Sequence, residues 1–372
     1  MNLSYWEIKT WLSNVDFTII GSGIVGLSCA LELRRKFPKS EILILEKGIL
    51  PQGASTKNAG FACFGSISEI LDDLNSHSED EVFKLVKQRW DGLQLLRKTV
   101  GDKQLDFKNL GGYELFREQD NGLFEKCLSQ MDSINRLLEP VFHSNVFSLN
   151  PNAFSFGNIT DEVIFNQFEG QIDTGKMMDA LLEKANTNRI KILNNVSVLE
   201  FAEDTSWVNV KTNQFELKTS NLFIATNGFS SQLKIPKVQP ARAQVLITKP
   251  IENLHIKGTF HFEKGYYYFR NIDKRILFGG GRNLDKAGEE TTEFAQTQLI
   301  QNELEHILRT VILPDKKFEI EHRWSGIMGV GNQKKPIVKQ ISNRIFCGVR
   351  LGGMGVAIGS LVGRDLALIA SE

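Results

Sequence analysis

The first readable pattern in the chain is an apolar run over residues 17–20 that stops at Gly21. A helix-period pattern over 24–37 follows, and a second apolar run, 42–45, ends on Glu46. Short continuous apolar runs predict strands buried on both faces, and the periodic stretch between them predicts a crossover helix, so the segment reads as one βαβ unit. Further on, Val82, Leu85, Val86, Trp90, Leu93 and Leu96 recur at helical spacing behind Glu79, Asp80 and Glu81, which predicts a helix over 78–100 with an acidic first turn. A strand over 111–116 and an amphipathic helix over 121–138 come next. A helix over 176–185 precedes four short strands, 190–193, 196–201, 207–211 and 215–218. A buried strand then starts at Leu222 and ends in the small residues Ala225-Thr226-Asn227-Gly228. From 245 to 281 the pattern turns to β-hairpins, with 266–270 joined through a turn at Asp273 to 276–278. Alternation puts Tyr266, Tyr268 and Arg270 on one face of the first of these strands and Tyr267 and Phe269 on the other. A helix over 292–308, a strand over 345–349, a glycine-rich turn over 352–355 and a helix over 356–370 close the chain.

The βαβ unit carries the sharpest chemistry. Gly21, Gly23 and Gly26 form G-x-G-x-x-G between the first strand and its helix, and Glu46 ends the second strand 25 residues after Gly21. Gly21 permits the tight turn, Gly23 lets backbone N–H groups approach a pyrophosphate, and Gly26 lets helix and strand pack closely. The phosphates face the positive end of the helix dipole. Glu46 can accept hydrogen bonds from both ribose hydroxyls and would repel a 2'-phosphate, so the expected ligand is an unphosphorylated ADP-ribose or an ADP moiety like that of FAD. A loop of small and polar residues, 51–61, opens directly after this strand, so its backbone can run along the bound nucleotide.

Composition narrows the classes. At 372 residues the chain suits two or three domains, and 41% hydrophobic with 24% charged residues is ordinary for a globular protein. Lys+Arg and Asp+Glu balance at 44 each, which argues against a nucleic-acid partner. Residues 1–14 have no basic n-region or apolar h-region and do not read as a signal peptide. The most apolar long window, 351–370, is broken by Arg364 and Asp365, so no integral membrane segment is expected. Cys29, Cys63, Cys127 and Cys347 are scattered with no metal spacing, and none of the six histidines has one either, so no metal site is expected and the compartment reads as a reducing cytoplasm.

Taken in order, these segments resemble the flavin-dependent oxidoreductases of the D-amino-acid oxidase, glycine oxidase and sarcosine oxidase type. The resemblance covers nearly the whole chain. It runs from Ser4-Tyr5-Trp6-Glu7 through the glycine motif, 53–60, Gly170-Gln171-Ile172-Asp173, 225–228, Arg242-Ala243-Gln244-Val245 and 279–282 to Gly352-Gly353-Met354-Gly355-Val356. It implies a two-domain α/β fold: a Rossmann-like, glutathione-reductase-type FAD domain from 14–75, 150–235 and 322–372, and a mixed β-sheet substrate domain from 76–149 and 236–321. It implies FAD, expected to be non-covalent because Trp324-Ser325 offers no cysteine in the late segment where sarcosine oxidases attach theirs and Cys347 falls in a buried strand. Gly21, Gly23, Ile24, Val25, Glu46, Lys47, Ser55, Thr56, Lys57 and Asn58 would hold the ADP and pyrophosphate, with Val198 against the adenine. Ala225, Thr226 and Gly228 would lie beside the cofactor. Ala59, Gly60, Gly326, Gly353, Met354, Gly355 and Val356 would meet the flavin end.

The implied reaction is oxidation of a C–N bond in an amine or amino acid by hydride transfer to flavin N5, with oxygen or a carrier as the electron acceptor. Tyr266, Tyr268 and Arg270 fall where the family's substrate-lining strand is expected; the same residues also suit a half-buried strand with Arg270 in a structural ion pair. Met328, after Gly326-Ile327, occupies the position where amino-acid oxidases of the group carry a carboxylate-binding arginine. That departure disfavours free glycine or a plain D-amino acid and leaves Arg270, Arg242 or Arg350 as substitute anchors. His261 and His322 are the histidines expected nearest the pocket. Two alternatives stay open: a flavin-dependent hydroxy-acid dehydrogenase, and a non-catalytic FAD-binding protein.

Overall fold

The structure is a computed structural model that describes residues 2–235 and 237–371. Two eight-stranded sheets organise it. The first has the order Lys191–Leu193, Ile42–Leu45, Val15–Ile20, Glu216–Ile224, Ile345–Val349, Ile337–Ser342, and its first five strands run parallel. Ile42 and Ile44 pack into the helical layer on one face, while Leu43 and Leu45 pack into an apolar cluster on the other. Both faces are therefore covered, which is why the strand reads as an unbroken apolar run. The helical layer holds Ile24–Lys36, Gly355–Leu368 and Glu79–Val100. The opposite face carries an antiparallel meander, Val198–Glu203 and Val208–Thr212, that hydrogen-bonds the start of Glu216–Ile224.

Three glycines set the helix contacts. A Cβ on Gly26 would stand 1.9 Å from the Gly21 carbonyl oxygen, one on Gly92 would meet the Ala357 carbonyl at 2.3 Å, and one on Gly363 would meet the Val25 carbonyl at 2.5 Å. No methyl group fits at any of the three.

The second sheet has the order Ile320–Val330, Gln239–Thr248, Arg275–Gly280, Tyr267–Ile272, Thr259–Phe262, Gly112–Glu114, Glu162–Asn166, Phe147–Pro151. One face is an aromatic core of Phe260, Phe262, Tyr267, Phe269 and Phe278 beneath helix Gln298–Ile307. Phe260 and Phe269 stack at 4.6 Å between ring centres, a pairing that adds about 0.5–1.5 kcal/mol to the area term. The other face turns toward the first domain.

The expected segment boundaries shift on three counts. Strand Glu162–Asn166, expected in the nucleotide unit, pairs in the second sheet, as does Ile320–Val330, expected there only to residue 321, while Phe147–Pro151 straddles the expected boundary after 149. Helix Glu79–Val100 bridges the two: Leu93, Leu96 and Val100 pack in the nucleotide unit's core against Gly355–Leu368, while Val82 and Val86 pack with Phe116 and Phe124 in a separate cluster. Pro236 and Glu372, which bound two of the expected segments, lie outside the described residues. Two element predictions also change. The strands expected at 215–218 and from Leu222 are one strand, because Thr219 pairs with Val208 on one side and Val15 on the other. The helix expected from 292 starts only at Gln298: Arg242 Nη1 donates to the Glu293 carbonyl and the Thr297 N–H donates to Gln244 Oε1, so the preceding backbone is committed elsewhere.

Candidate functional site

A cavity of about 810 Å³ runs between the two sheets, within the volume range of pockets for drug-sized ligands and cofactors. Its two ends differ in chemistry.

At one end, the C-terminal edge of the parallel sheet, Gly21, Gly23, Ile24 and Val25 form the wall. Gly21 sits at φ +102°, a conformation that side chains resist. The Ile24 N–H, first of the helix, donates to Ser55 Oγ at 3.0 Å, which folds the 53–60 loop over the helix N-terminus. Glu46 accepts from the Ser22 N–H at 3.0 Å and Ser22 Oγ at 2.7 Å on one oxygen, and from the Gly48 N–H at 3.0 Å on the other. The Gln52 N–H reaches the same Oε1 at 3.4 Å, so four donors fix a buried carboxylate against the cavity. Lys47, Val198, Ala225 and Thr226 line the same end.

At the middle, Lys57, Asn58, Ala59 and Gly60 pass along the cavity, facing Gly326, Gly353, Met354, Gly355 and Val356. Asn58 Oδ1 accepts from the Gly60 N–H at 2.8 Å and Thr174 Oγ1 at 2.9 Å, which fixes the loop's turn. A Cβ on Gly352 would meet nothing within 4 Å, and one on Gly353 only Met328 Sδ at 4.0 Å. The start of helix Gly355–Leu368 thus offers open, side-chain-free backbone. Asn227, which sequence reasoning left out of the site, lines the cavity and ties the two sides together: its Oδ1 accepts the N–H groups of Arg350 and Leu351 at 3.0 and 3.2 Å. Its φ of +44° marks it as a turn residue, for which Asn is suited.

Two expected cofactor residues do not reach the cavity. Thr56 turns away and donates Oγ1 to the Pro51 carbonyl at 2.7 Å. Gly228 is pressed on strand Ile320–Val330, where a Cβ would stand 2.5 Å from the Met328 carbonyl.

The far end is the second sheet's inner face. Tyr266, Tyr268 and Met328 line it as expected. Arg270 does not. Its Nη2 donates to the Ile172 carbonyl at 2.9 Å and its Nε to that of Ala59, leaving a buried structural clamp. The ion-pair alternative is also replaced, since both these partners are carbonyl oxygens. Arg242 forms a bidentate pair with Glu289, and Arg350 donates Nε to the Lys335 carbonyl. Neither lines the cavity, so none of the three expected substitute anchors is present there.

His261 lines this end instead. It lines the cavity opposite Tyr268 in the strand register, with Phe61 edge-on to both rings at 5.1 and 5.7 Å. Its Nε2 lies 2.5 Å from Glu169 Oε1, which also accepts from Thr259 Oγ1 at 2.8 Å. Burial alone would lower its pKa, but the charge and hydrogen bond of Glu169 prevail and raise it to about 9. Burial holds the Tyr268 phenol protonated, with a pKa near 12. Sequence gave only a weak pointer to His261, because Glu169 is 92 residues away. His322 stacks on Trp324 at 5.7 Å and does not line the cavity.

Cys63, Glu169 and His261 bring ligand-type atoms within 4.8 Å of one another. Burial, and then the charges of Glu169 and Glu69, push the Cys63 thiol well above its ordinary range, so on its own it is not a ready nucleophile. The trio reads as a histidine–glutamate pair beside a packed thiol.

The residues fit FAD on structural grounds: a glycine cradle at one helix N-terminus, a fixed carboxylate, and a second helix start with bare glycine backbone, all on one cavity. Comparisons agree. The chain is 21% identical to "Probable oxidoreductase OrdL" of Haemophilus influenzae over 382 aligned residues, covering 96% of this chain and 83% of that one. Its fold is similar to glycine oxidase from Bacillus cereus (TM-score 0.78, 15% identity, 96% and 95% of the two chains covered). It is also similar to L-proline dehydrogenase from P. horikoshii (TM-score 0.74, 20% identity, 96% and 94% covered). Residues 16–369 match the family described as FAD dependent oxidoreductase, and the chain belongs to that family.

Proposed function

We propose that the protein oxidises a C–N bond of a small amine or amino acid at the Tyr268–His261 end of the cavity. The observation that carries this reading is the placement of that wall on the same cavity as the bare backbone of Gly352 and Gly353. FAD, when bound there non-covalently, supplies the hydride acceptor. The protein's own residues do the rest. Phe61, Met328 and Met354 exclude water from the reacting carbon, and Tyr268 donates a hydrogen bond from a phenol that stays protonated at any working pH. The N-terminal backbone of helix Gly355–Leu368 presents positive dipole to negative charge developing in the cavity.

Cys347 does not line the cavity, which keeps it from the flavin end, and four free, buried cysteines suit a reducing, cytoplasmic setting. No helix among the described residues is long and apolar enough to cross a membrane. The relatives named as glycine oxidase and L-proline dehydrogenase support an amino-acid substrate over a hydroxy acid. Product analysis tests the reading: turnover should yield a carbonyl compound and an amine or ammonia in equal amounts. A hydroxy acid converted to a keto acid without nitrogen release would replace it.

A further inference from the structure

A buried cavity that takes an amino acid must neutralise a carboxylate, and the three arginines expected to do so are engaged elsewhere; Arg282 also lines the cavity, but it is only half-buried and no partner among the described residues fixes its guanidinium. Arg270 is spent on two carbonyl oxygens, Arg242 on Glu289 and Arg350 on Lys335. Met328 brings no charge. Lys264 and Lys334, at the cavity's edge, are half-exposed and paired with Asp72 and Asp73 at 2.9 and 2.5 Å. His261 alone combines burial, a place in the wall and a built partner. Glu169 fixes its Nε2, while Nδ1 makes no hydrogen bond among the described residues. Tyr268, directly across the strand pair, adds a phenol on the same face.

We propose that His261, held by Glu169, is the carboxylate-binding residue of this cavity, donating Nδ1–H to the substrate's carboxylate alongside the Tyr268 hydroxyl. This rests on the reading that the substrate is an amino acid. Glu169 does two things. It keeps the imidazole a double donor across the neutral range, and it fixes the ring plane so that Nδ1 is presented rather than free to turn. The arrangement gives one point contact instead of an arginine fork, which suits a carboxylate approached from one side, as on a bulky or N-substituted amino acid.

The groups facing His261 are Glu169, Glu114 on the neighbouring strand, Glu69 on helix Ile67–Leu74, the Cys63 thiol and Tyr268. Glu114 titrates near 7, Tyr268 near 12 and Cys63 far above neutrality. A binding transition near pH 9 would therefore belong to His261.

The test uses benzoate and its neutral isostere benzamide, titrated into the FAD-loaded full chain and followed by the flavin absorption shift and by calorimetry. At pH 7 benzoate should bind at least tenfold tighter than benzamide. Its Kd should rise about tenfold per pH unit above pH 9, while that of benzamide stays flat. His261→Gln should cost benzoate tenfold or more and change benzamide less than twofold. Glu169→Gln should move the midpoint of the benzoate pH profile downward. The proposal is overturned if the unaltered protein fails to prefer benzoate at pH 7, or keeps that preference unchanged to pH 10.5; this arm needs no variant to fold. Equal benzoate affinity in a folded His261→Gln protein overturns it too. Binding and turnover separate the two claims: a flavin that no amine reduces, in a protein that holds benzoate through His261, loses the proposed reaction and keeps the anchor.

Discussion

Arg270 donates Nη2 to the carbonyl oxygen of Ile172 at 2.9 Å, from beneath the loop that carries Ala59 and Gly60. A Cβ on Gly60 would meet that guanidinium at 2.7 Å, so loop and arginine are fitted to each other. Burial pulls the Arg270 pKa down to about 10, but it remains charged at neutral pH.

Replacing Arg270 with methionine should therefore act on stability. Two buried carbonyl oxygens lose a charged donor, and the expected cost is about 3 kcal/mol. Thermal unfolding and FAD retention should both fall, with benzoate affinity of the loaded protein unchanged. A folded variant of normal stability that loses carboxylate binding would show Arg270 to be a substrate residue instead.

Gly26→Ala and Gly122→Ala should move stability in opposite directions. At Gly26 the new methyl would stand 1.9 Å from a backbone oxygen that cannot swing away, so the loss should reach or exceed the roughly 3 kcal/mol upper range of overpacking. At Gly122, in the first turn of helix Asn121–Phe142, nothing lies within 4 Å and alanine should gain about 0.5–1 kcal/mol. Chemical unfolding of the two variants checks the pair.

The Arg242–Glu289 pair is buried on both sides, with side chains 7% and 0% exposed. Glu289 also accepts from Gln244 Nε2 at 3.0 Å, in the same cluster that delays helix Gln298–Ile307. Glu289→Ala should cost about 3–5 kcal/mol by stranding a buried cation, and Arg242→Met in the same chain should recover much of it. A double-mutant cycle in urea measures the coupling.

The pH dependence of stability follows from two raised groups. Burial raises the Glu114 carboxyl to about 7, and Glu169 raises His261 to about 9 against the effect of burial. Both folded values lie above the unfolded ones, so each contribution is complete below the unfolded pKa and is lost as pH climbs through the folded one. Glu114 should therefore weaken the fold between about pH 4.5 and 7, and His261 between about 6.5 and 9, each on the order of 3 kcal/mol. Urea unfolding should show Glu114→Gln flattening the lower limb and His261→Gln the upper one. An unaltered protein whose stability rises from pH 7 to 9.5 would contradict this.

Local order was legible and long-range pairing was not. The run at 17–20, the glycines after it and the acid at 46 are consecutive signals in one βαβ unit, so period and motif sufficed. Alternation likewise separated Tyr267 and Phe269, in the core, from Tyr266 and Tyr268, on the cavity. The same alternation put Arg270 on the cavity face without showing that the 59–60 loop and Ile172 would close over it. Glu169 and His261 illustrate the same limit: two residues far apart in sequence meet only because Gly112–Glu114 pairs with Thr259–Phe262 while the Glu169 carbonyl accepts from the Gly111 N–H just before that strand. The placing of strand Ile320–Val330 has a related reason, since it is assigned by its partner Gln239–Thr248 and carries no sign of that partner in its own pattern.

The measurement that bears most directly on the account is anaerobic titration of the purified protein with amines, amino acids and hydroxy acids, followed by absorbance. The account predicts flavin bands near 375 and 450 nm (approximate positions for oxidised flavin) that bleach with an amino acid or amine and stay unchanged with hydroxy acids. A flavin reduced only by hydroxy acids, or by no compound carrying a C–N bond, would contradict it.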